Sequence, residues 1–103
     1  MEIKIDDKVR NYIEINSYEG IVLKREIQSF GWAGCRDIIQ GEFIKDSSVL
    51  NTKNIRYSVE DIEGIKVFIP EYLNLNEVCG IRISRLFSVF SKVMLLNIEV
   101  TEI

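Results

Sequence analysis

Apolar and polar residues alternate between positions 55 and 69, and this pattern restricts the fold more than any other feature of the sequence. The apolar members are Ile55, Tyr57, Val59, Ile65, Val67 and Ile69. An apolar residue at every second position is typical of a β-strand with one buried face. Residues 61–64 separate the two runs and predict a turn in which Gly64 takes a positive φ. The segment therefore predicts a β-hairpin with one exposed and one buried face, ended by Pro70, which lacks the N–H of a central ladder.

One helix is predicted near the N-terminus. Residues 2–5 alternate as a short strand, and Asp6 or Asp7 can cap a following helix by accepting hydrogen bonds from its free N–H groups. The apolar residues at helical spacing are Val9, Tyr12 and Ile13. We expect this helix to end before Gly20.

Further strands are predicted on both sides of the hairpin. Residues 21–30 and 38–45 read as strands, and residues 46–54 as an exposed connection. Ile21, Leu23 and Ile27 share one parity in the first strand, and Ile39, Gly41 and Phe43 share one face of the second. Toward the C-terminus, Leu86, Val89, Phe90, Val93 and Met94 fit helical spacing, whereas Ile81 and Ile83, and then Met94, Leu96, Ile98 and Val100, alternate as strands. The richness in Val, Ile and Phe favours two strands joined by a turn at residues 91–92.

The predicted fold is therefore β-rich α+β, with six or seven short strands and one N-terminal helix. Because most connections have hairpin length, the sheets should be mixed or antiparallel. Elements of this kind are expected to form a small curled β-sandwich or an incomplete barrel. The 103 residues fit a single domain, 1–103.

Composition excludes several classes of function. The chain has 13 basic and 16 acidic residues, a net charge of −3, which argues against nucleic-acid binding. It has no histidine, so His-dependent triads and His metal ligands are excluded. Its two cysteines are too few for a secreted disulfide scaffold. We see no leader or membrane-spanning segment and expect a cytoplasmic protein without a membrane partner.

The segment with chemical content spans residues 31–36 and reads Gly-Trp-Ala-Gly-Cys-Arg. Gly31 and Gly34 free the backbone to bend tightly and turn N–H groups inward. Such groups, together with Arg36, would stabilise the Cys35 thiolate as a metal ligand or nucleophile, with Trp32 as a shield or lid. The alternative is an ordinary turn in which Cys35 is a small buried hydrophobe.

Other candidate residues favour structural roles. Cys79 is expected in the core and is only a secondary candidate ligand, and a disulfide with Cys35 is not expected. Glu60, Asp61 and Glu63 cluster at the hairpin turn and are read as solvated. Lys24, Arg25, Arg82 and Arg85 are expected on a solvated sheet face, and would form a basic strip only if their strands were neighbours. Phe87 and Phe90 are expected to fill the core, with a dimer contact as the alternative.

The order of elements resembles the HesB-like, or A-type iron–sulfur carrier, family. The resemblance spans roughly residues 3–100: a strand, a helix, a strand entering a Gly-rich cysteine loop, a returning strand, and the hairpin at 57–70 with Leu73 soon after. The Gly-Trp-Ala-Gly-Cys run is most similar to a divergent branch of that family. The resemblance implies binding of iron or an iron–sulfur cluster and its transfer to an apo-protein acceptor. Of the family's cysteine ligands only the first has a counterpart, Cys35, since the C-terminal Cys-Gly-Cys is missing.

Three functions remain open from the sequence. The first is iron–sulfur or metal handling through Cys35, in a possible homodimer or with an apo-protein acceptor. The second is thiol redox or thiol transfer by Cys35, and the third is an interaction module that retains only the fold. With no histidine and no evident general base, enzymatic catalysis is not expected.

Overall fold

The computed structural model describes residues 2–29, 31–52, 54–73, 75, 78–86 and 95–102. In these residues it contains one α-helix and seven strands. They are β1 (Glu2–Ile5), α1 (Asp7–Ile15), β2 (Gly20–Ser29), β3 (Cys35–Ile44), β4 (Tyr57–Ile62), β5 (Ile65–Pro70), β6 (Val78–Leu86) and β7 (Leu95–Glu102). Short 3₁₀ turns occupy Gly31–Ala33 and Ser47–Thr52. The β-rich α+β class with an N-terminal helix is confirmed. Within this part of the chain, no helix has the length and apolar character that a membrane crossing requires.

The strands form two sheets that do not close into a barrel. In the first, with order β1-β6-β7, β1 runs parallel to β6 and β7 runs antiparallel to it. In the second, with order β3-β2-β5-β4, β2 and β5 are parallel and the outer pairs are antiparallel. Both sheets are mixed, as the connection lengths predicted. The two predicted C-terminal strands are confirmed as β6 and β7. The turn predicted at residues 91–92 lies outside the described residues, as do Phe87 and Phe90.

The main core lies between the two sheets. Ile21 and Leu23 of β2, Val67 of β5 and Ile83 of β6 are fully buried there. The helix covers one end of the core with Val9 and Ile13, which are at the helical spacing predicted for them. Burial of these aliphatic side chains supplies most of the stabilisation, roughly 1.5–3 kcal/mol for each side chain.

A second apolar cluster covers the outer face of the four-stranded sheet. It consists of Val22, Ile44, Leu50 and Phe68, with Tyr57 packed against it. Leu50 comes from the 3₁₀ turn at Ser47–Thr52 and folds back over β5. The predicted exposed face of the hairpin is therefore wrong at Phe68 and Pro70 of β5, which are buried. The predicted buried face is wrong at Val59 of β4, which is 52% exposed. The connection at 46–54 is not wholly exposed, since Leu50 is buried.

The turn of the β4–β5 hairpin was predicted correctly, whereas the capping of helix α1 was not. Glu63 and Gly64 both have positive φ, 52° and 88°, as a two-residue hairpin turn requires. Asp6 stands at the N-cap of α1, but its side chain makes no capping hydrogen bond. The Nε atom of Arg82 donates to the Asp6 carboxylate instead, at 3.4 Å, so the capping prediction is wrong.

Candidate functional site

The candidate site lies at the free end of the β2–β3 hairpin. The two strands pair in register over their full length, from Gly20 opposite Ile44 to Ser29 opposite Cys35. β2 pairs with β5 only from Gly20 to Val22, so its distal half is bonded to β3 alone among the described strands. We call residues 25–29 and 31–38 the hairpin arm. Ten unbroken pairs join β2 to β3, and the last four of them, from Glu26 opposite Ile38 to Ser29 opposite Cys35, lie within the arm.

One face of the hairpin arm continues the buried face of the sheet. Side chains alternate along a strand, so Ile27 lies on the same face as Ile21 and Leu23. Ile21 and Leu23 are fully buried, whereas Ile27 is 66% exposed. The shared parity was predicted correctly, but at Ile27 this face is no longer covered by the three-stranded sheet.

The tip of the arm is a tight turn surrounded by solvent. Gly31 and Gly34 have positive φ, 64° and 102°, and the Gly34 N–H donates to the Gly31 carbonyl at 3.3 Å. A Cβ added at either glycine would meet no atom within 4 Å. Trp32 is fully exposed, at 101%, so the prediction that it shields the thiol or forms a lid is wrong. None of the described residues outside the turn covers the indole.

Cys35 begins β3 directly after this turn and is an exposed free thiol. The alternative that it is a small buried hydrophobe is therefore wrong. In the cross-strand ladder it faces Ser29, and the next residue, Arg36, is paired with Gln28. Stabilisation of the thiolate by Arg36 stays a prediction. An exposed thiol can bind a soft metal or meet an electrophile, because no other side chain has to move first.

Cys79 lies on the other sheet and is also exposed and free. Its expected place in the core is wrong, because the register of β6 against β7 shifts between Val78 and Gly80 and leaves Cys79 at the irregularity. Its Sγ atom donates to the Thr101 carbonyl at 3.2 Å. No three or more Cys, Asp or Glu side chains converge on a common point in the described ranges. An iron–sulfur cluster normally takes four thiolates or substitutes, so the described part of one chain does not supply a complete ligand set.

The charged clusters named from the sequence have structural explanations. The carboxylate of Asp61 accepts the Gly64 N–H at 2.9 Å, and Glu63 lies 2.7 Å from Arg10, so these acids stabilise the hairpin turn. Lys24 and Arg25 are on the four-stranded sheet and Arg82 and Arg85 are on the other sheet, so their strands are not neighbours and the alternative of a basic strip is excluded. Lys24 is paired with Glu42, which raises the Lys24 pKa through their hydrogen bond.

Sequence reasoning missed a groove of about 600 Å³ between the two sheets, at the base of the hairpin arm. We call it the inter-sheet groove. One wall carries Arg25, Ile38 and Ile39, and the opposite wall carries Val78, Val100 and Glu102. The alternating pattern of each strand was visible, but the groove depends on how far one sheet extends past the other.

A second depression of about 410 Å³ lies on the outer face of the three-stranded sheet. Its lining includes Glu2, Lys4, Cys79, Arg82 and Glu99. Two of these side chains are already paired, since Glu2 lies 3.6 Å from Lys4. Arg82 is held by Asp6, and the described residues of this depression do not bring together three or more Cys, Asp or Glu side chains that could hold a metal ion.

Comparison of the chain with protein-family models, with curated proteins and with solved structures gives no match. The HesB-like resemblance therefore stays a prediction from the residues and the order of elements.

Proposed function

We propose that this chain is a HesB-like binding module that acts with a second molecule through the hairpin arm. In this proposal the Cys35 thiol is one ligand for iron, or for an iron–sulfur cluster, carried as cargo. The observation that carries the proposal is the joint exposure of Trp32, Ile27 and Cys35 on the hairpin arm.

The arm has the properties of a binding surface. Aromatic anchors that are exposed in the free protein often supply a large share of the binding free energy in complexes. A fully exposed Trp beside an exposed Ile would lose water-exposed apolar area only when a second molecule covers them. This favours an interaction function over a turn that merely connects two strands.

The thiol adds chemistry to that surface. Each chain supplies Cys35 as a single thiolate at the arm, so the remaining ligands of the cargo have to come from the second molecule or from a small external thiol. Candidate second molecules are another copy of the chain, giving a homodimer, and an iron–sulfur apo-protein acceptor. Exposure of Cys35 equally supports thiol redox or thiol transfer, which is the alternative use of the same atom.

A cytoplasmic location belongs to this proposal, because free thiols persist in reducing compartments. The net charge of −3 supports a protein partner rather than nucleic acid or an anionic membrane surface.

Anaerobic incubation of the full chain with ferrous iron, sulfide and a small external thiol tests the metal part of the proposal. We expect visible absorbance and protein-bound iron after desalting, both lost in Cys35→Ser. Cys79→Ser is the matched control for loss of one exposed thiol and should retain the iron. A colourless, iron-free wild-type protein, or equal loss in both variants, would contradict the role assigned to Cys35.

A further inference from the structure

We infer that the hairpin arm binds an extended segment of a different protein, which adds to the sheet as a further strand beside β2. The inference rests on the proposed function because it uses the same arm, and it deepens that proposal by naming what the arm recognises. It does not require a metal ion.

The first step is that β2 has a long edge without a strand partner. β2 spans Gly20–Ser29, but β5 pairs only with its first three residues, Gly20 to Val22. On that side, residues 24–29 pair with no strand of the described ranges and form no backbone hydrogen bond to a described turn or loop. Six residues correspond to roughly 20 Å of strand. Alternate residues direct their N–H and C=O groups to this side, so the edge offers roughly three donors and three acceptors.

The second step is that this edge lacks the usual protection against strand addition. Proline, bulges and projecting lysines commonly block edge strands. Residues 24–29 contain no proline, and their pairing with β3 has no register shift. The Lys24 ammonium is bound by the Glu42 carboxylate of β3, which draws it away from the side where β5 ends. The edge strand β1 of the other sheet, by contrast, has only four residues.

The third step is that a strand beside residues 24–29 would continue the sheet where β5 stops. After Pro70 the chain leaves the sheet in a turn, in which the Leu73 N–H donates to the Pro70 carbonyl at 3.0 Å. Leu73 and Arg25 both line the inter-sheet groove, so this turn lies next to the arm. An added strand would extend the line of β5 with one face toward the groove. The outer edge of β3 offers no strand to continue, which favours the edge of β2.

The fourth step is that the side chains of the arm select a sequence. Residues directly opposite each other on neighbouring strands share a face. Arg25 and Ile27 lie on the inner face of the arm, whereas Glu26 lies on the outer face, and all three are exposed. The segment should therefore place an acidic residue opposite Arg25, a basic residue opposite Glu26 and an apolar residue opposite Ile27. Main-chain hydrogen bonds would supply affinity, and this three-residue pattern specificity.

Selection from a displayed library of short random peptides against the full, metal-free chain supplies the probe. We expect the enriched peptides to carry acidic, basic and apolar residues in consecutive positions, in either chain direction. Titration of one enriched synthetic peptide into isotope-labelled protein should shift the nuclear magnetic resonance signals of the amides of residues 24–29. A library without binders, or a peptide that shifts only signals elsewhere in the chain, would overturn the inference.

Methylation of the peptide's backbone nitrogens distinguishes main-chain from side-chain recognition. Only alternate amides of an added strand face β2, so methylation of one set should weaken binding by about tenfold or more. Methylation of the other set, which faces away, should leave the affinity unchanged. Equal effects of the two sets contradict strand addition.

Charge reversal tests the register. Arg25→Glu should weaken binding of the enriched peptide by roughly threefold to tenfold, and replacing the acidic residue of the peptide with lysine should restore the affinity. Glu60→Lys, on the other edge strand β4 of the same sheet, is the matched control and should leave binding unchanged. Arg25→Glu without loss of affinity overturns the inference. Peptide binding without iron uptake would refute only the metal role of Cys35, and iron uptake by a chain that selects no peptide would refute only strand addition.

Discussion

The guanidinium of Arg10 lies 2.7 Å from the carboxylate of Glu63, and this ion pair joins helix α1 to the β4–β5 turn. The Arg10 side chain is only 27% exposed, and its Nε atom is buried without a hydrogen-bond partner in the described residues. Glu63 therefore supplies the closest compensation for a guanidinium that has lost much of its water. A partly buried pair of this kind is screened by salt less than a fully exposed one.

Glu63→Gln is expected to lower the free energy of unfolding by about 1 kcal/mol, because Arg10 stays partly buried and loses its nearest anion. Urea denaturation of Glu63→Gln, Arg10→Met and the double variant measures the coupling between the two side chains. The control pair is Lys4 and Glu2, whose side chains are 72% and 71% exposed with charged atoms 3.6 Å apart. An equal coupling free energy in the two pairs would contradict a larger contribution from the partly buried Arg10–Glu63 pair.

Gly20→Ala is expected to destabilise the fold by more than about 3 kcal/mol, since the new methyl group cannot be accommodated. A Cβ at Gly20 would lie 1.9 Å from the Lys66 carbonyl oxygen, where β2 and β5 begin their parallel pairing. At Gly80 the nearest atom would be 3.6 Å away, so Gly80→Ala is the matched control. Gly41→Ala, with side-chain atoms at 3.2 Å, should fall between them. A Gly20→Ala variant that unfolds no earlier than Gly41→Ala and Gly80→Ala contradicts the close β2–β5 contact.

Leu50→Ala is expected to cost about 2–3 kcal/mol of unfolding free energy, because it leaves a cavity against Phe68 and Val22. The neighbouring Val49 is 55% exposed, and Val49→Ala should cost less than about 0.5 kcal/mol. Thermal or urea unfolding of both variants measures the two losses of stability. A small effect at Leu50 would mean that the outer face of β5 is not covered by this turn.

Some parts of the fold were predictable from the sequence, and others were not. Alternation of apolar and polar residues predicted the strands β4, β5, β6 and β7, because successive side chains of a strand point to opposite faces. Burial of Phe68 was not predictable in the same way. It depends on Leu50, eighteen positions earlier, returning over the outer face of the sheet.

The acid stability of the fold should depend on Glu19. The backbone N–H of Ser47 donates to the Glu19 carboxylate at 2.6 Å and, with a smaller contribution from Lys66, lowers the Glu19 pKa below its ordinary value of 4.5. A pKa lowered by folding stabilises the protein above the ordinary pKa, and this stabilisation is lost as the pH falls through the folded value.

Glu19→Gln should therefore be less stable than wild type at neutral pH, and the difference should shrink below about pH 4.5. Urea unfolding of both proteins between neutral and acid pH measures this difference. Glu60→Gln, on the exposed strand β4, controls for removal of one negative charge. A difference that is constant with pH, or larger in acid, would exclude the Ser47 hydrogen bond as its cause.

The candidate site was predictable from the sequence only in part. The Gly-rich turn before Cys35 was predicted, because two glycines within four residues favour a tight bend. The exposure of Trp32 and Cys79 was not predicted. An exposed Trp requires that no other element lies over the tip, and Cys79 points outward because of the register shift next to Gly80.

Both thiols of the native chain should react with a disulfide reagent without denaturant, since Cys35 and Cys79 are exposed and free. Cys35→Ser and Cys79→Ser should each leave one reactive thiol. We expect Cys79 to react more slowly, because its Sγ atom is held by the Thr101 carbonyl at 3.2 Å, whereas Cys35 follows a turn with open space around it. Stopped-flow measurement on the two single variants separates the rates. If Cys35 reacts only after unfolding, the thiol is not presented at the arm, and its proposed role as a shared metal ligand is wrong.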